Sequence, residues 1–288
     1  MRKLYYLVIS AITIALISHM PVYSNPQQEV NSCPSEPYPI SNCMTRGLQA
    51  VTGMNFIASE FAESQIKNQL LKIAKGDFSV NIDTYSAMDL IAGKFKGFNI
   101  KGKNVLINDT HISSLEAYSL CNFVYLDLNS KPIVPLAPLY VGVKGTITED
   151  DINKTLTSEK FQEEVAKIKF NFINTEVNLV EFQNINIHIG DNKLFINSDI
   201  HFGMIPMSIP LRLSTGLKAS GDKIRLTNFQ VLAGDIGPMG SFIQMLSPAI
   251  LNLDDFVKDG TNINIKTISI KNHKIDTEGT VWIPGKNS

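Results

Sequence analysis

The sequence predicts an α+β fold in which antiparallel sheets pack against a few helices. Three observations carry this reading. Segments of period-two alternation follow one another with only turns between them, whereas parallel strands need a long crossover between neighbours. One stretch instead places Ala58, Ala62, Ile66 and Leu70 at intervals of four, the spacing that lines one helix face. A second helix start is signalled by Thr148 with Asp151 three residues on, a reciprocal capping pair.

Taken in order, Arg2 and Lys3 precede the apolar run Leu4 to Ile17, and Val22-Tyr23-Ser24 offers small residues at the first and third positions before a cut. This is the layout of a secretion signal over residues 1–24, and it places the protein in the periplasm or outside the cell. The run is soon interrupted by His19 and Pro21, which makes an uncleaved anchor the weaker alternative. Residues 25–54 read as a leader, extended where Pro26, Pro34 and Pro37 fall. An oxidising compartment would allow Cys33 and Cys43 to close a small loop, while Cys121, inside an apolar strand, reads as a buried small hydrophobe.

Residues 55–288 then form one elongated domain, with two subregions meeting near 145–170. The first helix carries the 58/62/66/70 stripe, widened by Ile57, Phe61 and Ile73, and ends at Gly76-Asp77. Phe78, Val80 and Ile82 alternate with polar residues as a strand with one buried face. Ser86 caps a short helix that Gly93 closes. Strands are expected at Phe95 to Ile100, Asn104 to Ile107, His111 to Tyr118 and Leu120 to Leu128, with turns at Gly102-Lys103 and Asn108-Asp109. Pro132, Pro135 and Pro138 mark an edge or loop.

The capped helix from Thr148 breaks near Thr157-Ser158 and resumes through Phe161. Strands follow at Glu176 to Leu179, Asn184 to Ile189, Lys193 to His201, Ile209 to Leu213, Lys223 to Leu226 and Phe229 to Leu232. A third, apolar helix is expected at Met239 to Leu246. Thr261 to Ile270 and Lys274 to Ile283 close the chain as a strand pair.

Composition and motifs exclude more than they assign. The whole chain carries a net charge of −1, and loss of the signal removes two bases and no acid, so nothing favours nucleic acid as a partner. No Gly-x-Ser-x-Gly elbow, phosphate-binding glycine loop or His-Glu-x-x-His motif occurs. The histidines at 111, 188, 201 and 273 belong to no ligand-spaced motif, so neither a metal nor another cofactor is expected. Glu149-Asp150-Asp151 reads as a first helical turn stabilised by its own negative charge. Sequons begin at Asn108 and Asn153 and are given no role.

The order of local patterns resembles the LmeA-like phospholipid-binding family of bacterial envelope proteins. The helix segment Ala62-Glu63-Ser64-Gln65-Ile66 precedes the strand Phe78-Ser79-Val80-Asn81-Ile82. The stretch Leu90 to Gly102 follows, then Val105, Ile107 and Ile112 to Glu116, and Gly145 to Asn153 matches the family's strand into capped helix. The Ile185–Ile189 and Leu194–Ile196 hairpin fits as well.

The resemblance implies a non-enzymatic binder of the tubular-lipid-binding type. In that fold a strongly curved antiparallel sheet wraps a long N-terminal helix around an apolar tunnel. A phospholipid or related amphiphile is the expected partner, with transient contact at a membrane surface. Ile66, Leu70, Val80 and Ile82 are the first candidates for the tunnel wall. Leu139, Met204, Met207, Phe242 and Met245 are candidates for its entrance or far side. Lys94, Lys96 and Lys101 could meet a phosphate headgroup or simply form a solvated strand face. The alternatives are a structural or protein-interaction module of the envelope and, third, a lipolytic enzyme.

Overall fold

A computed structural model describes residues 54–127, 134–166, 180–190, 192–202, 205–233 and 261–286. It also describes short pieces at 33, 38–42, 46, 49, 130, 170–172, 175–177 and 250–252. The elements in chain order begin with α1 (Met54–Ile73), β1 (Lys75–Asp83), α2 (Ala87–Ile91), β2 (Lys94–Phe95), β3 (Gly97–Ile107) and β4 (Thr110–Ser119). Then come β5 (Val124–Asp127), β6 (Val134–Pro135), β7 (Leu139–Thr148), α3 (Glu149–Leu156) and α4 (Glu159–Ala166). The second half holds β8 (Phe170–Phe172), β9 (Thr175–Val177), β10 (Val180–Gly190), β11 (Lys193–Phe202), β12 (Ile205–Ser220), β13 (Lys223–Ala233), β14 (Ile250–Asn252), β15 (Asn262–Lys271) and β16 (Lys274–Ile283).

These strands form antiparallel sheets, as the alternation predicts. One has the order β1-β3-β4-β7-β16-β15 and another β10-β11-β12-β13-β14, with small sheets β2-β5-β6 and β8-β9 beside them. The α+β class therefore holds, but among the described residues the sheets are open rather than closed into a barrel. The chain's last hairpin returns to pair with β7, so the sheet built by residues 75–148 is completed by residues 262–283.

Local chemistry explains most element ends. Ser86 Oγ accepts the Asp89 N–H and caps α2. Thr148 and Asp151 form the full capping box of α3. Asn108-Asp109 and Asn272-His273 each place two consecutive residues at positive φ, the backbone that a tight hairpin turn requires.

Several boundaries depart from expectation. Gly102-Lys103 is not a turn: β3 runs straight through it, bulging at Asn104, which has φ +50°. Gly102 is instead a packing glycine, since a Cβ there would meet Phe78 and Val105 at under 3.0 Å. Opposite the bulge, Gly76 has φ +149°, and a Cβ on it would lie 3.0–3.1 Å from the backbone of Lys103, Asn104 and Val105.

Strand β12 is longer than expected and includes Pro206 and Pro210. Proline is tolerated there because β13 joins β12 only from Arg212 onward, which among the described residues leaves the proline end with β11 alone. Strand β13 is a single strand with Asn228 at positive φ, not two short ones. The helix expected at Met239 to Leu246 lies outside the described residues.

The leader brings a further correction. The disulfide joins Cys33 to Cys121, with Cα atoms 5.6 Å apart, rather than Cys33 to Cys43. Cys43 itself is outside the described residues. Tyr38 and Ile40 pack with Cys121, Phe123 and Ala137, so the leader is folded back across the chain instead of closing a local loop. Cys121 is accordingly a bend residue before a short β5, and the strand expected from Leu120 shrinks to Val124–Asp127.

Helix α3 joins the two large sheets. Ile152 and Leu156 enter a core with Phe78, Val105, Ile112, Ile147 and Ile275 of the six-stranded sheet and Ile187, Ile189 and Leu194 of the five-stranded one. On the polar side, Asn153 donates to the Ile187 carbonyl and accepts the Ile187 N–H, both at 2.8 Å, so its amide acts as a neighbouring strand for the edge strand β10. One turn earlier, Glu149 accepts the Ile189 N–H at 2.9 Å. Its own N–H donates to the His273 carbonyl at 3.0 Å. Thr155 accepts the His111 N–H, and Ser113 donates to Asp151. Burial opposes the Glu149 charge, but the Ile189 N–H and the imidazoles of His188 and His273 together hold its carboxyl below the ordinary range.

Asn153→Ala should remove both bonds to Ile187 and cost about 2 kcal/mol or more. The expected readout is a lower urea midpoint at unchanged slope. Lys154→Ala, which breaks an exposed pair with Asp150, should leave the urea midpoint essentially where it is in the native protein.

Candidate functional site

Helix α1 packs on one face of the six-stranded sheet, and several apolar residues of that layer are only partly buried. Alternation builds the sheet side. In β1, Phe78 and Ile82 are buried and Val80 half-buried, while Ser79, Asn81 and Asp83 are exposed. In β7, Leu139, Val141, Val143 and Ile147 take the same side, and β16 sets Ile283, Val281 and Ile275 opposite Leu139, Val141 and Ile147. Ten residues of β7 at about 3.3 Å each make this face roughly 33 Å long.

The helix side is the predicted stripe. Ala58, Ala62 and Ile66 pack on one cluster, built around Ile82, Leu90, Phe95, Val124, Leu139, Val141 and Ile283, and Leu70 packs on the α3 core. Glu63 accepts the Ile82 N–H at 2.8 Å and so holds the helix against edge strand β1. Ile57, Phe61 and Ile73 do not widen the stripe: they are 68%, 68% and 50% exposed. Ile57 and Phe61 are off the four-residue interval, and Ile73 ends the helix.

Burial varies along the face. Val105 and Ile275 are fully buried at the α3 end. Midway, Val80, Ala117, Val143, Val281 and Ile66 are only partly buried although all are apolar and all belong to the same cluster. Helix α1 offers only methyl groups at Ala58 and Ala62 here, so apolar surface stays uncovered.

An exposed apolar patch adjoins this face. Phe56, Ile57 and Phe61 of the first turns of α1 and Met88 and Ile91 of α2 are all more than half exposed. Asn55 accepts the Ala87 N–H at 2.8 Å and ties the two helix starts together. In the sequence Ile57 and Phe61 only widen the helix stripe; Phe56, Met88 and Ile91 carry no periodicity signal that selects them.

Of the nine wall candidates, Ile66, Val80, Ile82 and Leu139 meet in one cluster, and Leu70 lies at the neighbouring one. Met207 is on β12, where its backbone alone is described. Met204, Phe242 and Met245 lie outside the described residues.

The three lysines each have a partner within the protein. Lys94 donates to the Pro39 carbonyl at 2.7 Å and stands over the rings of Tyr38 and Tyr125. Lys96 pairs with Asp83 at 3.5 Å. Lys101 pairs with Glu116 at 3.4 Å on the polar side of β3, since it is Phe98, Ile100 and Gly102 that stand opposite the inward residues of β1.

Lys94 belongs to a clamp that fixes the leader beside this end of the sheet. Tyr38 donates to the Val124 carbonyl at 2.8 Å, and the Ser41 N–H donates to Asp89 at 2.9 Å. Burial works to raise the Asp89 pKa, but the hydroxyls of Ser41 and Ser86, the Ser41 N–H and the Lys94 charge outweigh it and hold the carboxyl below its usual range.

The described residues thus form an α+β chain with a long, partly buried apolar layer between α1 and the six-stranded sheet. A family model described as LmeA-like phospholipid-binding matches residues 53–280. The chain belongs to that family, which is a lipid-binding one and not a known enzyme family. The match opens beside α1 and ends within β16, so it contains the layer apart from Val281 and Ile283 and leaves the Cys33 leader outside. Neither the curated proteins nor the solved structures yield a match. Among the described residues no helix is long and apolar enough to cross a membrane, and the disulfide suits an oxidising compartment outside the cytoplasm.

The leader clamp yields a pH prediction. Because Asp89 has a lower pKa folded than unfolded, its stabilisation is complete above the unfolded value of about 3.9 and is lost as pH falls through the folded one. Asp89→Asn should therefore lower urea stability at pH 7, and the gap to the native protein should shrink steadily below about pH 4.

Proposed function

We propose that the protein binds phospholipid or a closely related amphiphile in the cell envelope and passes it between membranes without catalysing a reaction. Acyl chains lie against the inward face of β1, β4, β7 and β16, beneath the small residues of α1. The half-covered apolar layer carries this reading. Each methylene buried there would contribute about 0.8 kcal/mol, with no polar partner needed along the chain.

The exposed patch of α1 and α2 supplies the place for membrane contact, and Lys94 and Lys96 follow α2 directly in sequence, where a phosphate could be met. The secretion signal and the disulfide support a periplasmic or extracellular setting. The same patch also favours a second reading, a protein-interaction module whose layer is an ordinary closed core.

Native mass spectrometry of the purified protein, with vesicle-to-vesicle transfer of a labelled phospholipid, tests the proposal. Stoichiometric lipid and measurable transfer are expected; a lipid-free protein that transfers nothing would sink it. Ala62→Phe separates the two readings. Filling an open layer should cut bound lipid at a stability cost below about 1 kcal/mol, whereas overpacking a closed core costs about 1–3 kcal/mol.

A further inference from the structure

Among the described residues outside the apolar layer, one group of metal-ligating side chains is gathered from three separate elements. Glu149 opens α3, His188 lies in β10 between the buried Ile187 and Ile189, and His273 is the second residue of the β15–β16 turn. His188 Nδ1 is 3.0 Å from Glu149 Oε2, and His273 Nδ1 is 3.3 Å from the same oxygen. One ligand atom from each residue lies within 4.8 Å of the other two.

These spacings fit a common central ion. Four-coordinate zinc holds nitrogen and oxygen ligands at about 2.0–2.1 Å, which sets neighbouring ligand atoms about 3.3 Å apart. Two of the three edges are already near that length. The third closes by turning imidazoles that are half exposed or more, 50% for His188 and 68% for His273.

The backbone around the group is fixed. The Ile189 N–H donates to the Glu149 carboxylate, and the Glu149 N–H donates to the His273 carbonyl, so each ligand stands on backbone tied to another. His273 occupies a positive φ of +58° that the tight turn imposes. Two imidazoles and one carboxylate suit zinc and its transition-metal neighbours and disfavour magnesium or calcium, which take oxygen.

We propose that Glu149, His188 and His273 bind a divalent transition-metal ion of the zinc class, with water completing the coordination, and that the ion pins the junction of the two large sheets. His188 belongs to the five-stranded sheet and His273 to the turn that joins β15 and β16 of the six-stranded one, with α3 between them. The ligands are 39 and 124 residues from Glu149. No sequence motif of local spacing could show them, and the expectation that no metal is bound came from that spacing alone.

The experiment is a titration of tag-free, metal-stripped protein with Zn2+ in competition with a chromogenic chelator, repeated with Co2+ to read its visible absorption. One equivalent should bind, Co2+ should give the intense bands of a low-coordinate site, and Zn2+ should raise the melting temperature. His188→Ala and His273→Ala should each weaken binding about tenfold or more and abolish the thermal shift, while His201→Ala leaves both unchanged. Both histidines are exposed, so the variants keep the fold even where Glu149→Gln does not. Failure of the native protein to bind an equivalent of Zn2+, or native-like binding by the double histidine variant, would overturn the proposal. Neither result depends on whether lipid is bound.

Discussion

The fold depends on how one short helix serves two sheets. Strand β10 is an edge strand, and an unpaired strand edge inside a protein leaves donors and acceptors that must be satisfied. Helix α3 satisfies them with side chains. The Asn153 amide reproduces both hydrogen bonds of a strand partner at Ile187, and Glu149, one turn back, takes the next inward-facing amide at Ile189. A helical turn of about 5.4 Å comes close to two residues of strand, which is why side chains four apart on α3 can reach backbone groups two apart on β10. The capping box fixes where that helix begins and therefore which residues reach the edge. With the edge closed, Ile152 and Leu156 are driven into the core that both sheets share.

Much of this scaffold is legible in the sequence because its signals are local. The Thr148–Asp151 box, the Ser86 cap, the Asn108-Asp109 turn and the alternation of Phe78, Val80 and Ile82 each set structure within a few residues. Where a feature depends on distant chain, the sequence misleads. Gly102 looks like a turn residue, yet the side chain of Phe78 explains it. The strand expected from Ile209 begins at Ile205 and takes in Pro206, because among the described residues its proline end pairs with β11 alone. Ile57 and Phe61 read as core because they are apolar and helical, and only the placement of the sheet shows that they face away from it. Asn153 reads as part of a sequon, although its amide is already engaged by Ile187.

The leader follows the same rule. Proximity in sequence favours Cys43 as the partner of Cys33, but proximity in space is set by what Tyr38 and Ile40 can bury against, and that is the bend at Cys121 and Phe123. The bond to Cys121 spans 88 residues, and in the chain-entropy picture closing so long a loop restricts the unfolded state by more than a local loop would. The clamp of Tyr38, Ser41 and Lys94 then holds the leader alongside β5 and α2. The leader thus completes the end of the sheet that carries the exposed apolar patch, although it lies outside the family match.

An apolar face left half covered destabilises a chain unless other contacts make up the difference. Here they lie at the α3 end, where Val105, Ile275, Leu156 and Ile187 are essentially inaccessible and the polar edge of β10 is satisfied. Because the same strands run from that closed core to the half-open layer, the sheet can stay ordered without side chains from α1 filling every gap. Ala58 and Ala62 are then more than weak packing residues. Larger side chains at those positions would cover Val80 and Val143 permanently, and the surface that can accept a ligand's methylenes would be spent on the protein's own core. On this reading, the division of labour along one sheet, closed at α3 and less fully covered under α1, is what allows a stable fold and a ligand-accepting apolar surface to coexist.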